Sequence, residues 1–394
     1  MLHHVYFAPG LFGFPRLASF DYFAHVERAL DARFRGAGQL FDAHVVDVPP
    51  TASLRRRAAK LAELIDGTCG GEGPIHLLGH STGGLDARVV ASPNVQLPIS
   101  AAAMRWLPRL RSITTMNTPH YGTPLASFFA TRNGQHMLRA LSAFTYVGLS
   151  LGARPLAVAS VLIALVGRGD NAMGIELHLL DKSVDALLGM VDTARSPEVR
   201  TYLDAIKQDQ GAMLQLSPEA MDLMVAGFED RPGVSYQSTA SMAPTPSPGK
   251  WVRTLGHPWR AVSLALFTAL HGITAHDDER YPCAATRPDP DGEAAWAGEQ
   301  TEAMLVRAFG AAPDVQANDG VAPLRSQLHG TLVWAGLGDH LDVLGHYRDE
   351  RREGADELRH HDWLTSGSSF DRTHFDALMD AVATGMLKAA EATG

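Results

Sequence analysis

The chain has 394 residues, of which 45% are hydrophobic and 20% charged, with a formal net charge of −9 at pH 7. That balance excludes a disordered or membrane-spanning chain, and the acidic excess leaves no basic footprint for nucleic acid. The length accommodates two domains or one enlarged α/β domain, with a sizeable buried core in either case.

His4-Val5-Tyr6-Phe7-Ala8 is short, apolar and rich in β-formers, which predicts a strand, and Pro9-Gly10-Leu11-Phe12-Gly13-Phe14 breaks it. The run begins almost at Met1, with no charged leader, long apolar core or cleavage site before it. The expectation is therefore a cytoplasmic protein, or a secreted one only if the sequence is of a processed form. Phe20, Phe23, Val26, Leu30 and Phe34 fall at helical spacing over 20–36, residues 43–48 read as a strand, and 51–65 as a second helix with Thr51 as its cap.

Ile75-His76-Leu77-Leu78 then reads as a buried strand running into Gly79-His80-Ser81-Thr82-Gly83-Gly84, with helix-like spacing from Leu85 to Val90. A Gly-x-Ser-x-Gly between strand and helix is the context of a nucleophile elbow, in which a sharp turn lifts the serine hydroxyl off the sheet. Glycines two residues either side remove Cβ atoms that would clash in so tight a turn. The following helix points its N-terminus at the serine, where unpaired N–H groups favour developing negative charge. Strand, helix, strand, helix, strand and elbow together predict a doubly wound, mostly parallel sheet of the α/β-hydrolase kind, with helices on both faces. In that fold the loop after an early strand supplies the second oxyanion donor, so the backbone N–H groups of Leu11 and Thr82 are the candidates. A plain Pro-Gly turn is the competing reading of the first loop.

Ser112-Ile113-Thr114-Thr115-Met116 is another strand, closed by Asn117-Thr118-Pro119-His120-Tyr121-Gly122-Thr123-Pro124. Residues 125–230 break the α/β rhythm and read as helical, with an apolar run at 155–166 too short for a bilayer. That insertion is either a cap or lid over the serine or a set of buried helices. A strand over 233–239 returns the chain to the sheet, and 251–300 reads as a loop-rich insertion whose His276-Asp277-Asp278 is a solvated loop. The whole chain is then one α/β-hydrolase domain with two insertions. The acidic turn Asn318-Asp319-Gly320 precedes a strand at 331–336, and Gly338-Asp339-His340-Leu341-Asp342 follows it. Nucleophile, acid and base occur in this order in α/β hydrolases, which selects Ser81, Asp319 and His340. Two competitors stand beside them: Asp339 as the orienting acid, and His374 as the base if the 331–336 strand is not the last.

The pairing of Gly-His-Ser-x-Gly-Gly with a downstream Thr-Pro-His-x-Gly-Thr, and of Asn-Asp-Gly with a later His-Leu-Asp, resembles the bacterial triacylglycerol lipases of the Burkholderia and Pseudomonas type. The resemblance implies a serine carboxylic-ester hydrolase acting on hydrophobic acyl esters or lipids, with transient contact at a lipid interface and no cofactor in the chemistry. It gives His120 a structural role. It also implies a structural calcium near the base, for which Asp342 matches one ligand, whereas Glu299 and Glu302 lie out of register for the second. The chain departs from the family at Pro9-Gly10, where the family carries His-Gly, and in the missing signal peptide. Other readings of the same residues are an acyltransferase, an intracellular polyester depolymerase, or a hydrophobic-ligand binding protein without turnover. Cys69 and Cys283 lie far apart in sequence without metal-type spacing and read as reduced thiols, with a single disulfide as the alternative.

Overall fold

The apolar runs read above become parallel strands because each is flanked by turn residues and too short for a stable helix. The computed structural model describes residues 1–11, 16–17, 20–131, 134, 206, 208–247, 258–285, 298–348 and 362–392. Among the described residues six strands form the main sheet: β1 (Leu2–Ala8), β4 (Leu40–Val45), β5 (Ile75–His80), β6 (Leu110–Met116), β7 (Ser235–Met242) and β8 (Thr331–Leu337). Their order is β4-β1-β5-β6-β7-β8 and every neighbouring pair is parallel. A small antiparallel ribbon of β2 (Arg16–Leu17) and β3 (Phe20–Asp21) follows β1.

Two helical layers cover the sheet. On one face α2 (Leu54–Thr68) and α3 (Thr82–Ala91) bury Leu54, Leu61, Ile65, Leu85 and Val89 against Tyr6, Leu77 and Ile113. On the other, α1 (Ala24–Gly36) and a C-terminal helix over Arg372–Glu391 bury Val26, Leu30, Phe34, Leu378 and Val382 against Val5, Phe7 and Leu78. The alternation of Tyr6 with Val5 and Phe7 between the two faces is the strand period of two. Both faces are buried, as a parallel sheet requires.

Four expectations change. The strand expected at 43–48 lies at Leu40–Val45, because it takes its register from β1, with Leu2 opposite Leu40; Val46 and Val48 continue into the core as loop. Thr51 does not cap the second helix. Its hydroxyl donates to the Asp209 carbonyl at 2.5 Å, and α2 starts at Leu54 after Ser53. The helix expected over 20–36 starts at Ala24, since Phe20–Asp21 pairs with Arg16–Leu17. The stretch 251–300 is not only loop: Pro258–Thr274 is a helix with Leu264, Phe267 and Leu270 buried three residues apart.

Within 125–230, the described residues form α4 (Pro124–Ala130), α5 (Gly211–Gln215) and α6 (Pro218–Val225). In chain order the later helices are α7 (Pro258–Thr274), α8 (Glu299–Phe309) and α9 (Arg372–Glu391). The apolar run 155–166 and the lid reading built on it lie outside the described residues. Among the described residues no helix is long and apolar enough to cross a membrane. Cys69 and Cys283 are both free thiols.

Candidate active site

The C-terminal edge of the parallel strands gathers the ends of β1, β5, β6, β7 and β8, the edge at which open α/β sheets place their ligands. Ser81 leaves β5 with φ 55° and ψ −129°, a conformation foreign to most side chains, and is buried at 6% exposure. Its N–H donates to the Met116 carbonyl at 2.9 Å, and its own carbonyl accepts from the Gly84 N–H at 3.1 Å. The glycines are required by close approach: a Cβ on Gly79 would lie 2.3 Å from the Gly83 backbone, and one on Gly83 would lie 1.9 Å from the Ala8 carbonyl oxygen. A Cβ on Gly10 would lie 2.7 Å from the Ser81 Cβ and 3.2 Å from its Oγ, so the loop carrying Leu11 presses against the serine from the end of β1. Thr82 opens α3, where the first-turn N–H groups have no partner within the helix.

Asp319 and His340 meet at the same edge. His340 Nδ1 lies 2.7 Å from Asp319 Oδ2, and the His340 N–H donates to the Asp319 carbonyl at 3.0 Å. The carboxylate also accepts from the N–H groups of Val321 (2.9 Å) and Ala322 (2.7 Å) on Oδ1 and from Asn117 Nδ2 (2.9 Å) on Oδ2. Four donors fill an acceptor-only group that is fully buried. A carboxylate facing Nδ1 fixes the proton there and leaves the Nε2 lone pair free to take a proton.

The competitors go elsewhere. Asp339 Oδ1 accepts from the N–H groups of Leu341 and Asp342 and its Oδ2 from the Ser366 hydroxyl, none of which belongs to the His340 ring. Among the described residues β8 is the last strand of the sheet, and His374 sits in the first turn of α9, exposed and hydrogen-bonded to Asp371 at 2.7 Å. His120 is buried under α3, where Arg88 donates to its Nδ1 at 3.1 Å and its Nε2 meets the Thr115 hydroxyl at 3.0 Å.

Sequence reasoning passed over three further groups. His80 Nε2 lies 2.9 Å from the His340 carbonyl, an acceptor only, so Nε2 carries the proton and Nδ1 accepts from the Tyr22 hydroxyl at 2.8 Å. The Tyr22 oxygen in turn accepts the Gly10 N–H at 3.2 Å. Burial, helped by His340 nearby, holds His80 well below the ordinary histidine range and so neutral, and burial pushes the Tyr22 phenol up. Arg57, wholly buried on α2, binds both Asp86 oxygens through Nε and the Pro9 carbonyl through Nη2 at 2.6 Å, which ties α2, α3 and the first loop together. Burial pushes the Asp86 carboxyl up to about 6 while Arg57 pulls it down. The third is Asn117, at the end of β6. For Arg57 the signal in the sequence was Asp86, a lone carboxylate in the apolar run that follows the serine.

The calcium implied by the family resemblance does not fit the donor set. Asp342 Oδ2 accepts the Asp339 N–H at 2.9 Å and the Ser368 hydroxyl at 2.7 Å, and Asp339 is filled by two N–H groups and the Ser366 hydroxyl. These are hydrogen donors where a calcium ion needs six to eight oxygens aimed inward. Among the described residues no group of three or more His, Cys, Asp or Glu is placed to hold a metal ion. Glu302 instead pairs with Arg325.

A six-stranded parallel sheet covered on both faces, with a serine on a strained turn between strand and helix and a buried Asp–His pair from later loops, is the α/β-hydrolase fold. No protein-family model matches the chain, and no curated protein does either. Solved structures similar to it include the Staphylococcus hyicus lipase, at 15% identity and a TM-score of 0.45 over 99% of this chain and 96% of that one. Lipase 1 from Pelosinus fermentans is similar at 14% identity and a TM-score of 0.47, covering 97% and 98% of the two chains. EstA from Clostridium botulinum is similar at 15% identity and a TM-score of 0.44, covering 95% and 87%.

Proposed function

We propose that this chain is a serine carboxylic-ester hydrolase, a lipase or esterase that cleaves hydrophobic acyl esters through an acyl-enzyme. His340 Nε2 accepts the Ser81 proton as Oγ attacks the ester carbonyl, while Asp319 keeps the other ring nitrogen protonated and stabilises the imidazolium that forms. The tetrahedral oxyanion falls between the N–H groups of Leu11 and Thr82, where preorganised dipoles need not rearrange as charge develops. The imidazolium then protonates the leaving alcohol, and water enters with the same base to release the acid. These steps use only protein groups, and no step is routed through a metal.

The observation that carries this reading is the His340–Asp319 pair, 2.7 Å apart and buried. The His80 ring, adjacent to Ser81 in the chain, lies 4.7 Å from the His340 ring, centroid to centroid, so base and elbow share one edge of the sheet. The narrower likeness to Burkholderia and Pseudomonas triacylglycerol lipases rests on the sequence motifs alone.

The test is a chain-length series of p-nitrophenyl esters and triglycerides, with and without a serine-reactive phosphonate. Ser81→Ala and His340→Ala are each expected to lower kcat by at least about a thousandfold with the fold retained, and Asp319→Asn by less. The phosphonate should label the wild type and not Ser81→Ala. Near-normal turnover by His340→Ala would remove the assigned base and, with it, the mechanism.

A further inference from the structure

Asn117 carries two features that its place at the end of β6 does not explain. Its φ of +49° is left-handed, a region that non-glycine residues enter rarely, though asparagine does so more readily than most. Its Oδ1 is buried with no hydrogen-bond partner among the described residues, in a side chain wholly shielded from solvent. Buried amide oxygens are nearly always satisfied, so an orphaned one calls for a reason.

The other end of the amide supplies it. Nδ2 donates to the Ser241 Oγ at 2.6 Å and to Asp319 Oδ2 at 2.9 Å. Turning the amide over would set Oδ1 against a carboxylate that only accepts, so the partner dictates the orientation and the orphaned carbonyl follows from it. The Ser241 end is fixed as well: Gln327 Oε1 accepts the Ser241 N–H at 2.8 Å, while Gln327 Nε2 donates to the Ser241 and Ala322 carbonyls, each at 3.0 Å. Ala322 in turn donates its N–H to Asp319 Oδ1. Asp319 Oδ2 is therefore shared between two donors, Asn117 Nδ2 and His340 Nδ1, and the first of them is anchored independently of the second.

We propose that Asn117 is a positioning residue of the ester-cleaving site, whose amide fixes the Asp319 carboxylate in the rotation that meets His340 Nδ1. The role rests on the Ser81–His340–Asp319 reading. It assigns the left-handed turn at the end of β6 a purpose: that turn directs the side chain at the acid instead of along the sheet. Without the amide, Oδ2 has only the imidazole to hold it, and the base is presented to the serine less of the time.

Two variants test this by hydrolysis of p-nitrophenyl butyrate, with kcat normalised to the serine titrated by a phosphonate so that lost protein is not counted as lost chemistry. Asn117→Gly keeps the left-handed backbone and removes the amide; kcat should fall about tenfold with KM within about twofold. Asn117→Asp sets a second carboxylate against Asp319 at nearly unchanged volume. Buried carboxyls this close share one proton, and as it leaves their repulsion turns the Asp319 carboxylate away from His340, so kcat per titrated serine, relative to the wild type at the same pH, should fall about tenfold more at pH 8.5 than at pH 6.5. A purely structural role predicts a lower Tm with kcat per titrated serine and the pH profile unchanged in both variants, and that result would overturn the proposal. If Asn117→Gly does not fold, Asn117→Asp decides alone through its kcat per titrated serine at the two pH values. Ser81→Ala and His340→Ala run alongside: if both are inert while the Asn117 variants match the wild type, only the Asn117 role fails, and if His340→Ala is active the triad fails and takes this role with it.

Discussion

Ser81, the proposed nucleophile, sits on a strained turn. A non-glycine residue held at φ 55° and ψ −129° is strained by roughly 1–3 kcal/mol, and glycine occupies such backbone without that penalty. Ser81→Gly should therefore unfold at higher denaturant than Ser81→Ala, by about 1 kcal/mol, although both are inactive; equal stabilities would mean that the turn is relaxed as it stands. Tyr22 acts one hydrogen bond further out. It receives the Gly10 N–H and donates to His80, whose other nitrogen holds the His340 carbonyl, so one phenol joins the loop of the proposed oxyanion donor to the loop of the proposed base. Tyr22→Phe removes both hydrogen bonds, each with a net worth of about 1 kcal/mol, and leaves the buried His80 Nδ1 without its donor, so kcat/KM should fall about threefold to tenfold and Tm should drop by a few degrees. Unaltered kinetics in a stable variant would show that the first loop is held without it.

At the scale of elements, the edge of the sheet is assembled by one buried cation. Arg57 on α2 reaches Asp86 on α3 and the Pro9 carbonyl after β1, and neither member of the ion pair is exposed. Arg57→Met leaves the Asp86 charge buried without its counterion and should lower unfolding free energy by about 3–5 kcal/mol. Adding Asp86→Leu should recover much of that loss in urea unfolding; a double variant no more stable than the single would show that the carbonyl contact, not the ion pair, carries the stability. The extent to which such features were legible in the sequence follows from how local their causes are. The strands and the elbow are written in short apolar runs and in glycines spaced two residues either side of the serine. Asp319 and His340 stand only 21 residues apart and flank one strand, which is why chain order alone brought them forward together. Arg57 with Asp86, Tyr22 with His80 and Asn117 with Asp319 are separated by 29, 58 and 202 residues, and nothing but the parallel crossovers makes them neighbours. Helix α7 was hidden for a different reason: it is apolar on most sides, with Arg260, Ser263, Thr268, His271 and Thr274 its few polar residues, so no amphipathic stripe marked it off.

Across the whole molecule, two sets of buried titratable groups pull stability in opposite directions as pH changes. Burial, with His3 and Arg111 nearby, lowers His76 to about 3, and burial likewise holds His80 and His120 well below the ordinary histidine range. Unfolding returns these rings to a pKa near 6.5, so at lower pH the unfolded chain binds protons that the folded chain refuses. The stability they confer is full above about 6.5 and falls away on acidification. Asp339 and Asp342 behave in the reverse sense. Burial raises Asp339 well above the carboxylate range, with the charges of Asp342 and Asp362 adding to it, and burial raises Asp342 to about 7. The folded chain therefore keeps protons that the unfolded chain has released above about 4, and this contribution is complete below that pH and lost as pH rises through about 7. The Tm profile should be a dome whose alkaline limb belongs to this cluster together with Asp86, which burial raises to about 6. Asp342→Asn isolates the cluster's part of that limb, since the amide stays neutral and its oxygen still accepts from the Ser368 hydroxyl and the Asp339 N–H. By calorimetry its Tm should exceed that of the wild type by several degrees near pH 8.5, with the two converging only near pH 4. Calcium on the cluster would invert the order, because the ion would neutralise the carboxylates and the amide would weaken its site. Scans in EDTA and in added calcium at both pH values separate the cases. A variant that melts below the wild type at pH 8.5 in EDTA would overturn the proton-sharing account, and a wild-type Tm that calcium raises and EDTA lowers would establish the metal in its place.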